Sequence, residues 1–202
     1  MTPDQPSRSD GRHSEIDDAA RQIALAAGLA AITLRRLAST AGVAPGVIAE
    51  HEPSIGALVA RTFQELVQEE LLETTAHVAE ISDPLEALRM LVDMLVDDSH
   101  EGYNSVWADA WSLGRRNPPL ARAARENMVE WNDLIKGVIA RGVETKAFGG
   151  SDPDLVAMQF LALIDSTTAY ALVDYRTHEE RVHLMRRTLE ISLGLPEGTL
   201  AP

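Results

Sequence analysis

The chain has 202 residues, 45% of them apolar and 24% charged, with a net charge of −13. That composition is enough for one compact unit, or for a small domain plus a larger one. There is no cysteine, which excludes disulfides, thiolate nucleophiles and cysteine-based zinc or iron–sulfur sites.

Met1 to Ser14 is polar, without the apolar stretch of a signal peptide, and reads as a disordered arm. Every segment after it reads as helix. Glu15 to Ala27 places Ile16, Ala20, Ile23, Ala24 and Ala27 on one face, and Gly28 stops it. Thr33 is the N-cap of a short helix whose apolar face is Leu34, Leu37 and Ala38, and Gly42 takes the left-handed conformation that ends it. After a turn at Val43-Ala44, Pro45 sits in the first turn of another short helix, where no backbone donor is needed and its fixed φ suits. Two short helices joined in this way form a DNA-reading helix-turn-helix.

Ser54 caps a long helix from Ile55 to Ala79 with Leu58, Phe63, Leu66, Val67 and Leu71 as its buried stripe. Ser82-Asp83-Pro84 restarts a helix carrying Leu85, Leu88, Met90, Leu91, Met94 and Leu95, and Asp97-Asp98-Ser99-His100 ends it. Tyr103 to Leu113 follows with Val106, Trp107, Ala110 and Trp111, then Gly114 and the Asn117-Pro118-Pro119 break. Leu120 to Val143 has Met128, Trp131, Ile135, Val138 and Ile139 on its apolar side. Asp152-Pro153 opens a helix with a small-residue face running to Tyr175, and Thr177 caps the last one, Glu179 to Leu193. The fold class is all-α, about nine helices, with an arm over 1–14, a helix-turn-helix domain over 15–60 and a helical body over 61–202. No run of about 18 apolar residues predicts a membrane span.

The alanine-rich first helix followed by Gly28, Ile32-Thr33-Leu34-Arg35, Leu37-Ala38, Ala41-Gly42-Val43, Pro45-Gly46, His51 and Pro53-Ser54 resembles the TetR family of ligand-responsive repressors. Tyr103 to Trp111, Arg116 to Leu120 and Phe160 to Asp165 are similar to the BetI-type regulatory domain. The resemblance implies a cytoplasmic all-α homodimer that binds a palindromic DNA operator as a repressor and is released by a small-molecule effector. Three positions depart from the family pattern: Ala49 replaces a phosphate-contacting tyrosine, Glu52 a packing phenylalanine, and Ile55 a phosphate-contacting lysine.

In that reading the helix beginning with Ala44, Pro45 and Gly46 enters the major groove. His51 is its one side chain with an obvious hydrogen-bond donor, and Val47 and Ala49 can touch a thymine methyl. Thr33, at a helix N-terminus, suits a phosphate, while Arg35 and Arg36 suit backbone contacts or, for one of them, an internal salt bridge. Glu50 and Glu52 would face or flank phosphates. The head is thinly basic: Met1 to Ala60 has five Arg against seven Asp and Glu, with Arg8 and Arg12 in the arm. A competing reading is therefore a ligand-binding or interaction homodimer whose helix-turn-helix no longer grips DNA.

Met94, Tyr103, Trp107, Trp111, Met128, Trp131 and Phe160 are candidates to line a partly apolar effector site, with ordinary core as the alternative for each. Asn104, His100, Asn127 and Asp165 are candidate polar handles. The small-residue face from Asp152 to Ala171, with the last helix, suits a four-helix homodimer interface, though internal packing would use the same residues. Enzyme chemistry is not indicated, and no cofactor or metal is expected. His178 and His183 are five residues apart, about 140° around a helix, and do not share a metal easily. Ser166 lacks a nucleophile elbow, and Asp97-Asp98 and Glu69-Glu70 read as exposed charge.

Overall fold

A computed structural model describes residues 8–97, 101–150 and 152–201, all of their regular structure helical. Nine α-helices follow in order: α1 Arg8–Ala27, α2 Leu34–Thr40, α3 Pro45–His51, α4 Ile55–Glu80, α5 Pro84–Val96, α6 Glu101–Gly114, α7 Pro118–Glu144, α8 Pro153–Ala171 and α9 His178–Ser192. A single 3-10 turn, Leu29–Ala31, lies between α1 and α2.

Two compact units result. The first contains the chain up to Val67 and takes back Ser105–Arg125; the second contains Gln68–Asn104 and Glu126–Pro202. The contiguous division after residue 60 therefore becomes a discontinuous one, because most of α6 and the start of α7 pack with the reading head.

In the first unit, α1 buries Ile16, Ala20, Ile23 and Ala24 at helical spacing, while Ala27 is exposed. It begins at Arg8 rather than Glu15, because adding residues to an existing helix costs little once a nucleus is packed. Residues 1–7 of the expected arm, and the side chains of Arg8 and Arg12, lie outside the described residues. Gly28 is required twice over. Its φ of 78° is left-handed, and a Cβ there would lie 2.4 Å from Asp109 Oδ2 of α6. That carboxylate accepts the Ala30 N–H at 2.8 Å, so α6 closes the turn between α1 and α2.

Thr33 caps α2 as expected, its hydroxyl accepting the Arg36 N–H at 3.3 Å. Leu37 and Ala38 are buried, but Leu34 is exposed: a seven-residue helix presents only one narrow side to its neighbours. Within α3 only Ile48 is buried. Ser54 Oγ accepts the Ala57 N–H at 3.2 Å to begin α4, whose Leu58, Phe63, Leu66 and Val67 form the buried stripe. Asn117 joins the α6–α7 break to α4, its Nδ2 donating to Gly56 O at 2.8 Å.

The second unit has one core, to which Leu88 and Leu91 of α5, Ile135 and Ile139 of α7, Phe160 of α8, and Met185 and Leu189 of α9 contribute. Asp83 and Asp152 cap α5 and α8, and Thr177 with Glu180 forms a capping box on α9. α8 stops at Ala171, short of Tyr175, because Asp174 (φ 53°) and Arg176 (φ 69°) turn left-handed. The chain after α9 is pinned: Leu200 is buried, its N–H donates to Glu190 Oε1 at 2.9 Å, and Arg89 Nε donates to Thr199 O at 3.0 Å.

Candidate DNA-reading head and effector site

Ala44, Pro45 and Gly46 at the start of α3 are exposed, and Val47 and His51 are half-buried. A Cβ added at Gly46 would meet nothing within 4 Å, so packing within the chain does not demand glycine there. Arg35 and Arg36 on α2 are exposed, and neither is in an ion pair among the described residues. Arg61 instead supplies an internal salt bridge of the head.

Glu52 differs most from expectation. It follows α3 directly and is buried at 7% exposure, paired with the guanidinium of Arg61 on α4. Arg61 Nη2 also donates to Asp17 Oδ1 of α1 at 2.9 Å. Burial works against the Arg61 charge, but hydrogen bonds and attraction from Asp17 and Glu52 outweigh it and hold its pKa above the usual value. Glu52 therefore faces the interior rather than flanking phosphates. A long cation reaching in from α4 makes the acid tolerable where an aromatic ring would pack, and only Glu50 remains exposed.

His51 is also partly committed. Its Nδ1 lies 2.9 Å from Val47 O, an acceptor, so the ring donates there and leaves Nε2 as its second polar atom. Its ring stands edge-on to His13, 5.4 Å between centroids. Ala49 is exposed and Ile55 half-buried, and neither offers a polar group.

The candidate effector-site residues divide between the units. In the first unit, Trp107 stands edge-on to Phe63 at 5.0 Å and packs against Trp111 at 5.3 Å; Trp111 is 39% exposed. In the second, Phe160 is fully buried in the core, while Met94, Tyr103 and Met128 are half-buried. Trp131 is 4% exposed with no hydrogen-bond partner for Nε1. Among the polar handles, Asn104 Oδ1 accepts the Thr168 hydroxyl at 3.2 Å, Asn127 is fully buried, and His100 lies outside the described residues. Burial pushes the Asp165 carboxyl up to about 6.

Two features were not anticipated. Glu70 is buried, not exposed like Glu69; burial first, then the charge of Glu73, pushes its carboxyl up to about 7. A 3.6 rather than a two-residue periodicity assigns it correctly, since Val67, Leu71 and Thr74 flank it on the buried side. A cleft of about 480 Å³ also runs along α5 and α9, where Arg186 Nη2 meets Asp93 Oδ1 at 2.6 Å beside His178 and His183. Among the described residues no cluster of His, Asp and Glu is arranged to hold a metal ion.

α8 and α9 carry exposed apolar side chains among polar ones such as Gln159 and His183. Leu155, Met158, Ala162 and Ala169 on α8 and Leu184 and Ile191 on α9 are all exposed, so internal packing does not use them.

Residues 84–193, more than half of the chain, match the C-terminal domain of BetI-type transcriptional repressors. The protein belongs to that family, within the TetR regulators. A curated relative, the HTH-type transcriptional regulator BetI of Stenotrophomonas maltophilia, is 27% identical over 168 residues, covering 74% of this chain and 84% of its own. A transcriptional regulator of Saccharomonospora viridis, solved in complex with choline, superposes with a TM-score of 0.81 at 22% identity, covering 91% of this chain and 97% of its own. FadR of Bacillus subtilis, solved with stearoyl-CoA, gives 0.66 at 19% identity, covering 90% and 97%. These structures share the fold. The TetR regulator described here is thus a transcriptional regulator and not an enzyme. None of its described helices is long and apolar enough to cross a membrane.

Proposed function

We propose that this TetR regulator is a cytoplasmic, homodimeric repressor that binds a palindromic operator through α3 and releases it when a small molecule occupies the body. The observation that carries the DNA reading is the head itself: Thr33 caps α2, Pro45 opens α3 and Leu37, Ala38 and Ile48 pack them, while Arg35, Arg36, Ala44, Pro45, Gly46 and Val47 leave their reading surface open. Thr33 and the Arg36 side chain stand at the same helix end, suited to phosphate oxygens. The ion pair at Glu52 counts against a decayed head, because the junction after α3 is held by a substitute contact rather than left unpacked.

Dimerisation rests on the exposed apolar residues of α8 and α9, Leu155, Met158, Leu184 and Ile191, which a second copy would cover in a four-helix arrangement. Small-molecule control is supported by two regulators of the same fold solved with choline and with stearoyl-CoA. An effector acts only by binding one head spacing better than another, commonly by 1–3 kcal/mol. Fluorescence-anisotropy titration of the DNA upstream of its own gene, across a series of salt concentrations, tests the reading. Specific binding that weakens as salt rises supports it, and absence of binding at low salt overturns it.

A further inference from the structure

One of the two ring nitrogens of His51 is committed within α3. Nδ1 lies 2.9 Å from Val47 O, which accepts and cannot donate, so Nδ1 carries a hydrogen. In the neutral ring Nε2 is then an acceptor with no hydrogen of its own. The other neutral tautomer would set two acceptors against each other at that distance. The place of the ring on the helix gives this a consequence. Ala44, Val47 and His51 follow at i, i+3 and i+7 on one face, and Ala44 and Val47 belong to the open reading surface. Base edges are met from the first turns of a reading helix, so the last residue on that face falls toward the sugar–phosphate backbone.

A phosphate oxygen also only accepts. Neutral His51 therefore turns a lone pair toward a phosphate and repels it, whereas the imidazolium keeps its bond to Val47 O and offers Nε2–H as a second donor. The charges on the surrounding elements leave room for that proton. On α1 they are Asp17 and His13, whose ring stands edge-on with its centroid 5.4 Å away. On α4 there is Arg61, which holds both Asp17 and the buried Glu52. Glu50 of α3 is exposed beside His51, and α2 brings Arg35 and Arg36 on its exposed side. Of these side-chain types only imidazole ordinarily changes charge between about pH 6 and pH 8, and a proton on His13 opposes one on His51.

We infer that His51 couples operator binding to proton uptake: Nε2 takes a proton from solvent and donates it in a hydrogen bond to a backbone phosphate oxygen. The inference rests on the DNA-reading function proposed above. The polyanion drives the step, because a phosphate beside the ring favours the imidazolium. Each head thereby gains a positive charge where Ala49 and Ile55 offer phosphates no polar group. DNA affinity thus rises as pH falls through the imidazole range, and more counterions are displaced at low pH than at high pH.

Fluorescence-anisotropy titration of the full chain with the DNA upstream of its own gene, at pH 6 and pH 8 and over a salt series, tests this. The parent is expected to bind about tenfold more tightly at pH 6, with a slope of log affinity against log salt steeper by about 2 per dimer. His51→Gln is expected to lose both differences. His51→Lys, with a fixed cation, is expected to bind alike at the two pH values and to keep the steeper slope at both. Thermal melting at each pH establishes that the variants fold, and either variant alone decides the question. A pH difference that survives undiminished in His51→Gln or His51→Lys overturns the proton-linked contact and leaves the regulator reading standing, as does a parent with the same affinity and slope at both pH values. No binding by the parent at either pH in low salt overturns both.

Discussion

The carboxylate of Glu52, buried directly after α3, is paired with the Arg61 guanidinium of α4, which also holds Asp17 of α1 at 2.9 Å. One side chain therefore fixes the end of the reading helix to the two helices around it. Removing the cation would strand a buried acid. Arg61→Ala should destabilise the protein by about 2 kcal/mol, discounted for the partial exposure of Arg61, and weaken operator binding as α3 loosens. Adding Glu52→Phe should recover much of both losses, because the position would then need no counter-charge. Urea unfolding and DNA titration of the two single variants and the double variant measure the coupling; additive effects would contradict it.

Gly46 separates packing from recognition. A Cβ there meets nothing within the chain, and alanine is the better helix former by up to about 1 kcal/mol. Gly46→Ala should therefore leave the melting temperature unchanged or raise it slightly. If the backbone of α3 approaches a base edge, the same change should weaken operator binding about tenfold. Equal DNA affinity in the variant would remove Gly46 from the reading surface.

The boundaries of α2 and α3 were legible because Thr33, Gly42 and Pro45 each carry a local, backbone-level reason for their place. Long-range pairs were not legible. Nothing at position 52 announces an arginine nine residues away, and nothing in α6 announces that Asp109 receives the Ala30 N–H across 79 residues. The surroundings of single side chains were not legible for a similar reason. Phe160 has the composition of a site residue but the environment of core, whereas Glu70 reads as surface charge beside Glu69 until the face of α4 is fixed by its neighbours. The end of α8 was misplaced because the left-handed Asp174 and Arg176 are not glycines.

Arg35 and Arg36 are exposed and unengaged, and Ala49 and Ile55 offer phosphates nothing. Few cations are thus available to displace counterions, so the salt dependence of operator binding should be shallow for a dimeric repressor. Each contact contributes about 0.9 to the slope of log affinity against log salt, doubled in a symmetric dimer. Arg36→Ala should lower the slope magnitude by about 2 per dimer if both copies of the residue touch phosphate. An unchanged slope with an unchanged affinity would place Arg36 off the DNA.

Glu70 and Asp165 make stability depend on pH in one direction. Burial is the main cause for both, raising Glu70 to about 7 and Asp165 to about 6, so between roughly pH 4 and pH 7 the folded protein holds protons that the unfolded chain releases. Their contribution is fully present below the unfolded carboxyl range and is lost as pH rises through the folded values. For Glu70 the swing is at most about 3 kcal/mol. Urea midpoints should therefore fall from pH 5 to pH 8, beyond any change from self-repulsion of the acidic chain. Glu70→Gln should flatten that fall and be more stable than the parent at pH 8, because it removes an acid forced to ionise where no cation meets it. If the parent and Glu70→Gln lose stability equally over this range, the buried carboxyl is not the group that titrates.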